Sequence, residues 1–371
     1  MTDCLTNKVT QTYWKSLPEL LNPVGPNTQN LEGFDPEFID IVDYIIRITH
    51  RIWEQKDFGL CKKYYADYCP VFTLGGYSDD VETVIQNTLK TVAAFPDRSL
   101  IGDNVVWRDL GEDGYYSSHR ITSVMTNKGH SEFGSATGQT GRVTTIADCI
   151  CKDNKIVYEW LMRDNSFLLK QLGIDIHDAA KHMLKVAPHP VFLEWMEQEK
   201  IRVRAMQASP HQWSSYVDAK WSSFAGNWID TIFNQKQFSQ LTQFYALNAS
   251  VQWPGGRLSV GIPGIAGIFI QWLRGCPDAK ATCDHVGVVE FDDETTDIAI
   301  RWSLTGTASM NNPTYKLYEG LDYFVLGASH LRVKNGLIIN EWTVFDEVAI
   351  LVNLMREHQK KLGLREEPKR D

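Results

Sequence analysis

The sequence lacks the features that mark nucleic-acid-binding and membrane-spanning proteins. It has 37 Lys and Arg residues against 46 Asp and Glu residues, a net charge of −9, and contains no basic run. Binding to nucleic acid or to an anionic membrane surface needs a patch of positive charge, so we expect neither partner. The longest apolar stretch, residues 261–273, contains Pro263 and is shorter than the roughly 20 residues that cross a bilayer.

Cysteine spacing gives no sign of a metal site. The seven cysteines are an odd number and include no C-x-x-C pair, so neither a zinc site nor a complete disulfide set is expected. The start, Met1-Thr2-Asp3-Cys4, lacks the cationic and apolar regions of a signal peptide. P-loop, G-x-G-x-x-G and G-x-S-x-G motifs are also missing. These absences predict reduced thiols and a cytoplasmic location, with no metal and no cofactor.

What the sequence does contain is an internal repeat. A length of 371 residues predicts two domains, and the two halves match at nearly constant spacing. Residues 52–58 resemble residues 232–238 at an offset of 180, and Glu159-Trp160 recurs as Glu341-Trp342 at an offset of 182. Arg120 and Arg301, and Asp164 and Asp346, also match in order. We interpret this as a duplicated domain of about 150 residues.

Each copy has helical periodicity first and strand-like runs afterwards. This order predicts an α+β fold, in which three helices pack on a curved antiparallel sheet that bends around a pocket. In the first copy the helices are expected near 38–52, 58–68 and 79–94. The predicted division is an N-terminal arm (1–35), domain 1 (36–173), a helical linker (174–211), domain 2 (212–363) and a tail (364–371).

One strand ends on a carboxylate beside apolar residues. On the run from Lys155 to Asp164, alternate residues share a face, so Trp160, Met162 and Asp164 are expected to point together, with Tyr158 behind them. Desolvation on an apolar face raises the pKa of a carboxyl group toward the range useful for a general base. The alternative is that Asp164, and Asp346 in the second copy, each cap the helix that follows.

Three segments of the first copy resemble the SnoaL-like polyketide cyclases of the NTF2-like superfamily. They are Gly129-His130 through Gly134, Thr140-Gly141-Arg142-Val143, and Asn154 through Asp164. The resemblance implies a cone-shaped pocket in which Asp164 is the acid/base residue and His130 its partner. In the second copy, Ala308 stands where the histidine is expected, so Asp346 has no such partner.

The resemblance implies a cofactor-independent enzyme. A pocket Asp would act as general acid/base on a small apolar or carbonyl-containing molecule, in a cyclase, isomerase, lyase or hydrolase reaction. His119 and Arg120 are adjacent on one strand, so only one of them can line the cavity. The predicted substrate-binding residues are Trp160, Tyr158, Met162, Trp107, His119 and Arg120, and those of the second pocket are Asp346, Trp342 and Arg301.

The competing hypothesis is a non-catalytic binding or scaffolding protein. The cavities would then hold a ligand or be filled by side chains, and the duplication would supply an internal dimer. The resemblance implies pairing through the outer faces of the two sheets, as an intramolecular pseudo-dimer, with homo-oligomers left open. Open polar cavities would favour the enzyme, whereas cavities plugged by bulky side chains would favour scaffolding.

Overall fold

The computed structural model describes residues 9–210 and 216–364, in which two units follow each other with the same order of elements. Residues 1–8 of the predicted arm, 211–215 at the linker boundary and 365–371 of the predicted tail lie outside the described part. Domain 1, preceded by the short helix α1 (Leu17–Leu21), consists of α2 (Ile41–Thr49), α3 (Cys61–Tyr64), β1 (Tyr68–Thr73), β2 (Gly76–Asp80), α4 (Val81–Ala94), β3 (Ser99–Asp109), β4 (Tyr115–Thr126), β5 (Thr140–Lys152), β6 (Lys155–Arg163) and α5 (Asn165–Leu172).

Domain 2 repeats this order after two connecting helices, α6 (Ile176–Met183) and α7 (Pro190–Arg204). In both domains the first helix runs on into a π-helical turn, His50–Glu54 in one and Asp230–Asn234 in the other. Domain 2 consists of α8 (Ala219–Ile229), β7 (Tyr245–Trp253), β8 (Arg257–Val260), α9 (Ile262–Leu273), β9 (Lys280–Glu290), β10 (Thr295–Thr307), β11 (Asp322–Lys334), β12 (Leu337–Val344) and α10 (Glu347–Lys361).

The two sheets have the same strand order. It is β2-β1-β6-β5-β4-β3 in domain 1 and β8-β7-β12-β11-β10-β9 in domain 2. Four of the five pairings in each sheet are antiparallel, and the fifth, β1 with β6 or β7 with β12, is parallel. The predicted α+β layout of two repeated units is therefore confirmed, with a mixed sheet in place of a purely antiparallel one.

Some elements differ from the sequence-based prediction. Residues 58–68 were expected to form a single helix, but only α3 and a preceding 3-10 turn are helical, and the chain then enters the hairpin β1–β2. Two strands expected near 315–325 and 329–333 are one strand, β11. The hairpins β1–β2 and β7–β8 complete the sheets, and they had no counterpart in the predicted elements.

The outer faces of the two sheets pack against each other. Arg301 of domain 2 lies over the Trp160 ring of domain 1 at 3.6 Å, and Arg120 of domain 1 lies over the Trp342 ring of domain 2 at 3.7 Å. The approach is close: a Cβ atom on Gly287 would lie 2.4 Å from the Tyr116 ring. Since equivalent residues exchange equivalent contacts, the interface has the reciprocity of a two-fold dimer within one chain.

Candidate functional site

Each sheet faces the helices of its own domain on one side and the other domain on the opposite side, and strand alternation decides which of the two each side chain meets. On β6, Glu159 points inward beneath the helices of domain 1, where the Tyr65 hydroxyl donates to its Oε2 at 3.1 Å. The next residue, Trp160, points outward to domain 2. Each domain therefore has an inner face toward its own helices and an outer face toward the other domain.

Four residues predicted to line substrate cavities lie on the outer faces. Trp160 and Trp342 are covered by Arg301 and Arg120, respectively. Arg301 is 1% exposed, and its Nη1 also donates to Asp148 Oδ2 at 3.1 Å. These residues form the contact between domains, so the prediction that they bind substrate is wrong.

Met162 and Tyr158 share the outer face with Trp160. Met162 is buried in an apolar core that extends into domain 2. Tyr158 stacks on Phe72 with ring centroids 5.7 Å apart and lies 4.4 Å from the Trp160 ring. Neither side chain faces the interior of domain 1, which corrects their assignment to a substrate pocket.

Asp164 is the N-cap of α5. Its Oδ1 accepts from the Phe167 amide at 3.0 Å and from the Ser166 hydroxyl at 2.8 Å. The Gly255 amide of domain 2 donates to both carboxylate oxygens, at 2.9 and 3.1 Å. Burial raises the pKa of Asp164 to about 6, and these donors oppose the rise. Asp164 is therefore a helix cap, the alternative that the sequence left open, and it also links the two domains.

Asp346 has the same role in domain 2. Its Oδ1 accepts from the amides of Val348 and Ala349 at 2.9 and 3.1 Å, and Asn165 of domain 1 donates to Oδ2 at 2.5 Å. Burial raises the pKa of Asp346 to about 7. The two aspartates therefore serve as crossed helix caps at the domain boundary, and neither lies on an inner face.

This raised pKa predicts a pH dependence of stability for Asp346. The folded-state pKa of about 7 lies above the ordinary aspartate pKa of 3.8, so the folded protein binds the extra proton and its free energy of unfolding falls as pH rises from about 4 to 7. Taking at least two pKa units at 1.36 kcal/mol each, the decrease is about 3 kcal/mol. Urea unfolding of the wild type and Asp346→Asn across pH 4–8 measures it.

The Asn variant retains a capping side chain but cannot titrate. It should therefore gain stability relative to the wild type as pH rises, whereas Asp178→Asn, on the exposed surface of α6, should follow the wild type at every pH. A constant stability difference between Asp346→Asn and the wild type would show that this carboxyl group does not change its protonation between the two states.

His130 is not brought together with Asp164. Its side chain is exposed, and its ring lies edge-on to His182 with centroids 5.1 Å apart, whereas Asp164 is buried and bound to other groups. The predicted catalytic pair is therefore absent from the folded protein, because the loop that carries His130 turns the imidazole to the surface.

Aromatic side chains fill the interior of domain 2. Trp302 stacks on Phe233 at 5.4 Å, and Trp253 meets Phe269 edge-on at 5.0 Å. Each ring of the group is at most 3% exposed, so the inner face is closed. We call this group the aromatic plug; it consists of Trp228, Phe233, Trp253, Phe269, Trp272, Trp302 and Phe345.

Domain 1 lacks this plug. The strand pairings and helix starts of the two domains correspond position by position. For example, Val71 pairs with Glu159 in domain 1 as Val251 pairs with Glu341 in domain 2. Six of the seven plug positions are non-aromatic in domain 1, and Trp53 alone is aromatic. The domain 1 residues, in the order of the plug list, are Ile48, Trp53, Thr73, Thr88, Thr91, Ile121 and Arg163.

The smaller side chains leave the inner face of domain 1 open to solvent. Ala147 and Leu161 face each other across β5 and β6 in the middle of the sheet, yet both are only partly buried. Their counterparts in domain 2, Ser329 and Thr343, are at most 3% exposed. The partial exposure of Ala147 and Leu161, against the burial of their counterparts, indicates that the interior of domain 1 is the more accessible of the two. We call it the domain 1 cone.

Polar groups line the cone. Glu159 is 6% exposed, burial raises its pKa, and the Tyr65 hydroxyl that binds it opposes the rise. Burial lowers the pKa of His119 to about 3, so its ring is neutral at ordinary pH. His119 Nε2 and Thr145 Oγ1 are buried without a hydrogen-bond partner within residues 9–210 and 216–364. The cone thus combines a carboxyl group of raised pKa with a neutral imidazole.

The equivalent carboxylate in domain 2 is fully engaged. Glu341 accepts from Trp253 Nε1 and Thr343 Oγ1 at 2.6 Å through Oε1, and from Tyr245 OH at 2.6 Å through Oε2. Glu159 has the corresponding tyrosine, but its Oε1 has no donor among the described residues. The repeat therefore preserves a Tyr–Glu pair twice, and only the domain 1 copy retains a free carboxylate oxygen.

Glu159 was visible in the sequence as half of the repeated Glu-Trp pair. Glu159 was not among the predicted pocket residues, because Trp160 was predicted to line the pocket and adjacent strand residues face opposite sides. His119 and Trp107, which the sequence predicted to bind substrate, both lie on the inner side of their strands. Trp107 also borders a groove of about 600 Å³ beside the N-terminal arm.

A family model matches the second half of the chain. The SnoaL-like domain aligns with residues 225–341, which run from α8 into β12. Domain 2 is therefore similar to SnoaL-like domains. Domain 1 has the same strand order, so the chain consists of two domains of one fold in tandem. The match falls on the domain with the plugged interior, not on the half whose motifs suggested the family.

Solved structures resemble single domains of this chain. They include IdmH of Streptomyces antibioticus, a proposed polyketide cyclase (20% identity, 34% of this chain, 94% of that chain, TM-score 0.30). A second is a proposed polyketide cyclase from Acidithiobacillus ferrooxidans, with 18% identity over 36% of this chain and 93% of that chain and a TM-score of 0.32. A third is a proposed SnoaL-like polyketide cyclase from Jannaschia sp. CCS1, with 13% identity over 37% of this chain and 94% of that chain and a TM-score of 0.33. No curated protein sequence matches the chain.

No helix within residues 9–210 and 216–364 is long and apolar enough to cross a membrane. Over the same residues, no three His, Cys, Asp or Glu side chains converge as metal ligands. The predicted cytoplasmic location stays a prediction.

Proposed function

We propose that the chain is a single-site, cofactor-independent acid/base enzyme whose substrate binds in the domain 1 cone. The observation that carries this proposal is the contrast between the interiors: one is open and lined by Glu159 and His119, and the other is closed by the aromatic plug. Domain 2 then acts as an intramolecular partner that supports domain 1 through the sheet interface.

The chemistry follows from the protonation states of the two groups. Glu159 Oε1, free of donors among the described residues, removes a proton from a carbon next to a carbonyl group. The neutral His119 ring, in its Nε2–H form, donates to the developing enolate oxygen. In an isomerisation the proton on Glu159 then returns to a different carbon of the dienolate. In a cyclisation the enolate carbon attacks a second carbonyl group of the same molecule, and the proton passes to the alkoxide oxygen formed there.

The dimensions of the inner face suit a small ring system. Glu159 and His119 are separated by two strand spacings and two residues along the sheet, about 12 Å between backbones. Ala147 and Leu161 lie between these two positions and offer an apolar floor. A flat molecule of one to three rings would lie on this floor, with its carbonyl oxygen toward His119 and the adjacent acidic carbon toward Glu159.

The binding part of the proposal is tested by plugging the cone. Thr88 occupies the position of Phe269, so Thr88→Phe introduces a side chain that the same fold already accommodates in domain 2. Wild-type protein should bind one equivalent of 2-naphthol, a phenol that mimics an enolate, and Thr88→Phe should bind it at least ~10-fold more weakly because the ring occupies the cavity. Isothermal titration calorimetry measures both values.

Leu89→Phe provides the matched control. Leu89 is on the same helix but 51% exposed, so an added ring there should leave the affinity and the stoichiometry unchanged. Two equivalents bound per chain, or equal affinities for the wild type and Thr88→Phe, would overturn the assignment of a single open cone in domain 1.

A further inference from the structure

Two arginines lie at one end of the cone floor. Arg163 is at the end of β6, four residues from Glu159 and on the same face, about 13 Å along the strand. It replaces Phe345 of the aromatic plug, and its side chain is partly exposed. Arg98 precedes β3 and reaches Ser123 of the neighbouring strand, with Nη2 3.5 Å from Oγ.

Both guanidinium groups have unused hydrogen-bonding capacity. The Arg163 side chain forms no hydrogen bond or ion pair with any residue of the described ranges, and Arg98 Nε is buried without a partner there. Beside Arg163 on β5, Thr145 Oγ1 is also buried and unpartnered. An unpaired buried donor is costly. Arg98 Nε and Thr145 Oγ1 are two such donors, and with the partly exposed guanidinium group of Arg163 beside them they indicate a missing acceptor.

The acidic residues nearby do not supply that acceptor. Glu54 lies close to Arg98, but its Oε1 accepts from the Leu100 amide. Glu132 is close enough to interact electrostatically with Arg163, yet no ion pair joins the two at 4.0 Å or less among the described residues. The two arginines repel each other electrostatically, and a bound anion would relieve this repulsion.

We propose that the substrate of the domain 1 cone carries an anionic group, a carboxylate or a phosphate, that binds between Arg98 and Arg163. This inference rests on the proposed function, because it places the anion at one end of a molecule whose reactive carbon lies at Glu159. The guanidinium fork matches either group in a bidentate manner, and Thr145 adds a hydroxyl donor. The substrate class is thus a carbonyl compound with an acidic end roughly 10 Å from its reactive carbon.

The test compares three ligands of the same ring system: 2-naphthol, 6-hydroxy-2-naphthoate and 6-hydroxy-2-naphthyl phosphate. Calorimetry on the full chain should show that at least one anionic ligand binds more tightly than 2-naphthol. The tighter of the two anionic ligands shows whether the site recognises a carboxylate or a phosphate. Arg163→Met should weaken that anion about 10- to 100-fold, the effect of losing hydrogen bonds to a charged group, and should leave 2-naphthol unchanged. Arg142→Met, which removes an exposed charge from β5, should change neither affinity.

The outcomes separate this inference from the function on which it rests. If no ligand binds, the open cone itself is refuted. If all three bind equally well and Arg163→Met alters none of them, the cone stands and the anion site is refuted. If Arg163→Met weakens all three ligands alike, Arg163 supports the shape of the cone and does not recognise an anion.

Discussion

Replacing Glu159 by Gln is expected to slow proton transfer in the domain 1 cone by about 10²–10⁴-fold, the usual contribution of a positioned general base. Glutamine preserves the side-chain shape and can still accept from the Tyr65 hydroxyl that binds Glu159 at 3.1 Å, but it has no basic oxygen. The measurement is the exchange of the α-protons of 2-tetralone for deuterium in D₂O, followed by proton NMR at saturating protein.

The pH profile of this exchange supplies a second readout. Burial raises the pKa of Glu159, so the exchange rate should rise with pH through a midpoint above the usual glutamate range, and Glu159→Gln should abolish this dependence. Tyr65→Phe removes the donor to Oε2 and should move the midpoint further upward, because that hydrogen bond favours the charged form.

Asp164→Asn is the control that separates the two candidate carboxylates. Asp164 caps α5 and binds the Gly255 amide, and asparagine is an equally good capping residue. The exchange rate should therefore stay within a few-fold of the wild type. A loss with Asp164→Asn and none with Glu159→Gln would return the acid/base role to the residue suggested by the family resemblance and would refute the cone mechanism.

The repeat allowed the fold to be predicted because it constrains both halves at once. Matches such as Arg120 with Arg301 and Glu159 with Glu341 required two domains with the same order of strands, and the structure contains them. The hairpin β1–β2 was missed because its strands are only six and five residues long and the first contains Pro70, which weakens a strand pattern.

The site could not be predicted with the same success, since alternation shows which residues share a face but not which face is inside. Neither face of β6 is an outer surface of the molecule, because one faces the helices of domain 1 and the other faces domain 2, so the usual contrast of apolar inside and polar outside is lost. Trp160 points away from the cone and Glu159 into it. The capping role of Asp164 was considered, but its bond to Gly255 depends on domain packing.

The second large effect is expected at the domain interface, where Arg301→Met should lower the free energy of unfolding by about 3–5 kcal/mol. Arg301 and Asp148 are each 1% exposed and joined at 3.1 Å. Methionine retains the apolar stem but leaves the Asp148 carboxylate buried without its cation. It also removes the charge above the Trp160 ring. Urea unfolding at pH 7, followed by circular dichroism, measures the loss.

The pseudo-symmetric partner of Arg301 is Arg120, and replacing it shows how much of the lost stability comes from the buried ion pair. Arg120 covers Trp342 at 3.7 Å as Arg301 covers Trp160, but no ion pair of 4.0 Å or less involves Arg120 among the described residues. Arg120→Met should therefore cost only the cation–π contribution, about 1–2 kcal/mol.

Adding Asp148→Asn to Arg301→Met should restore most of the stability, because the uncompensated charge is then gone. Asp148→Asn alone should destabilise the protein less than Arg301→Met. In the wild type the Tyr116 and Ser118 hydroxyls donate to the Asp148 carboxylate at 3.0 and 2.5 Å, and the amide oxygen of asparagine can still accept from them. Equal losses for Arg120→Met and Arg301→Met, with no recovery in the double variant, would mean that aromatic stacking of the arginines, and not the buried ion pair, holds the two sheets together.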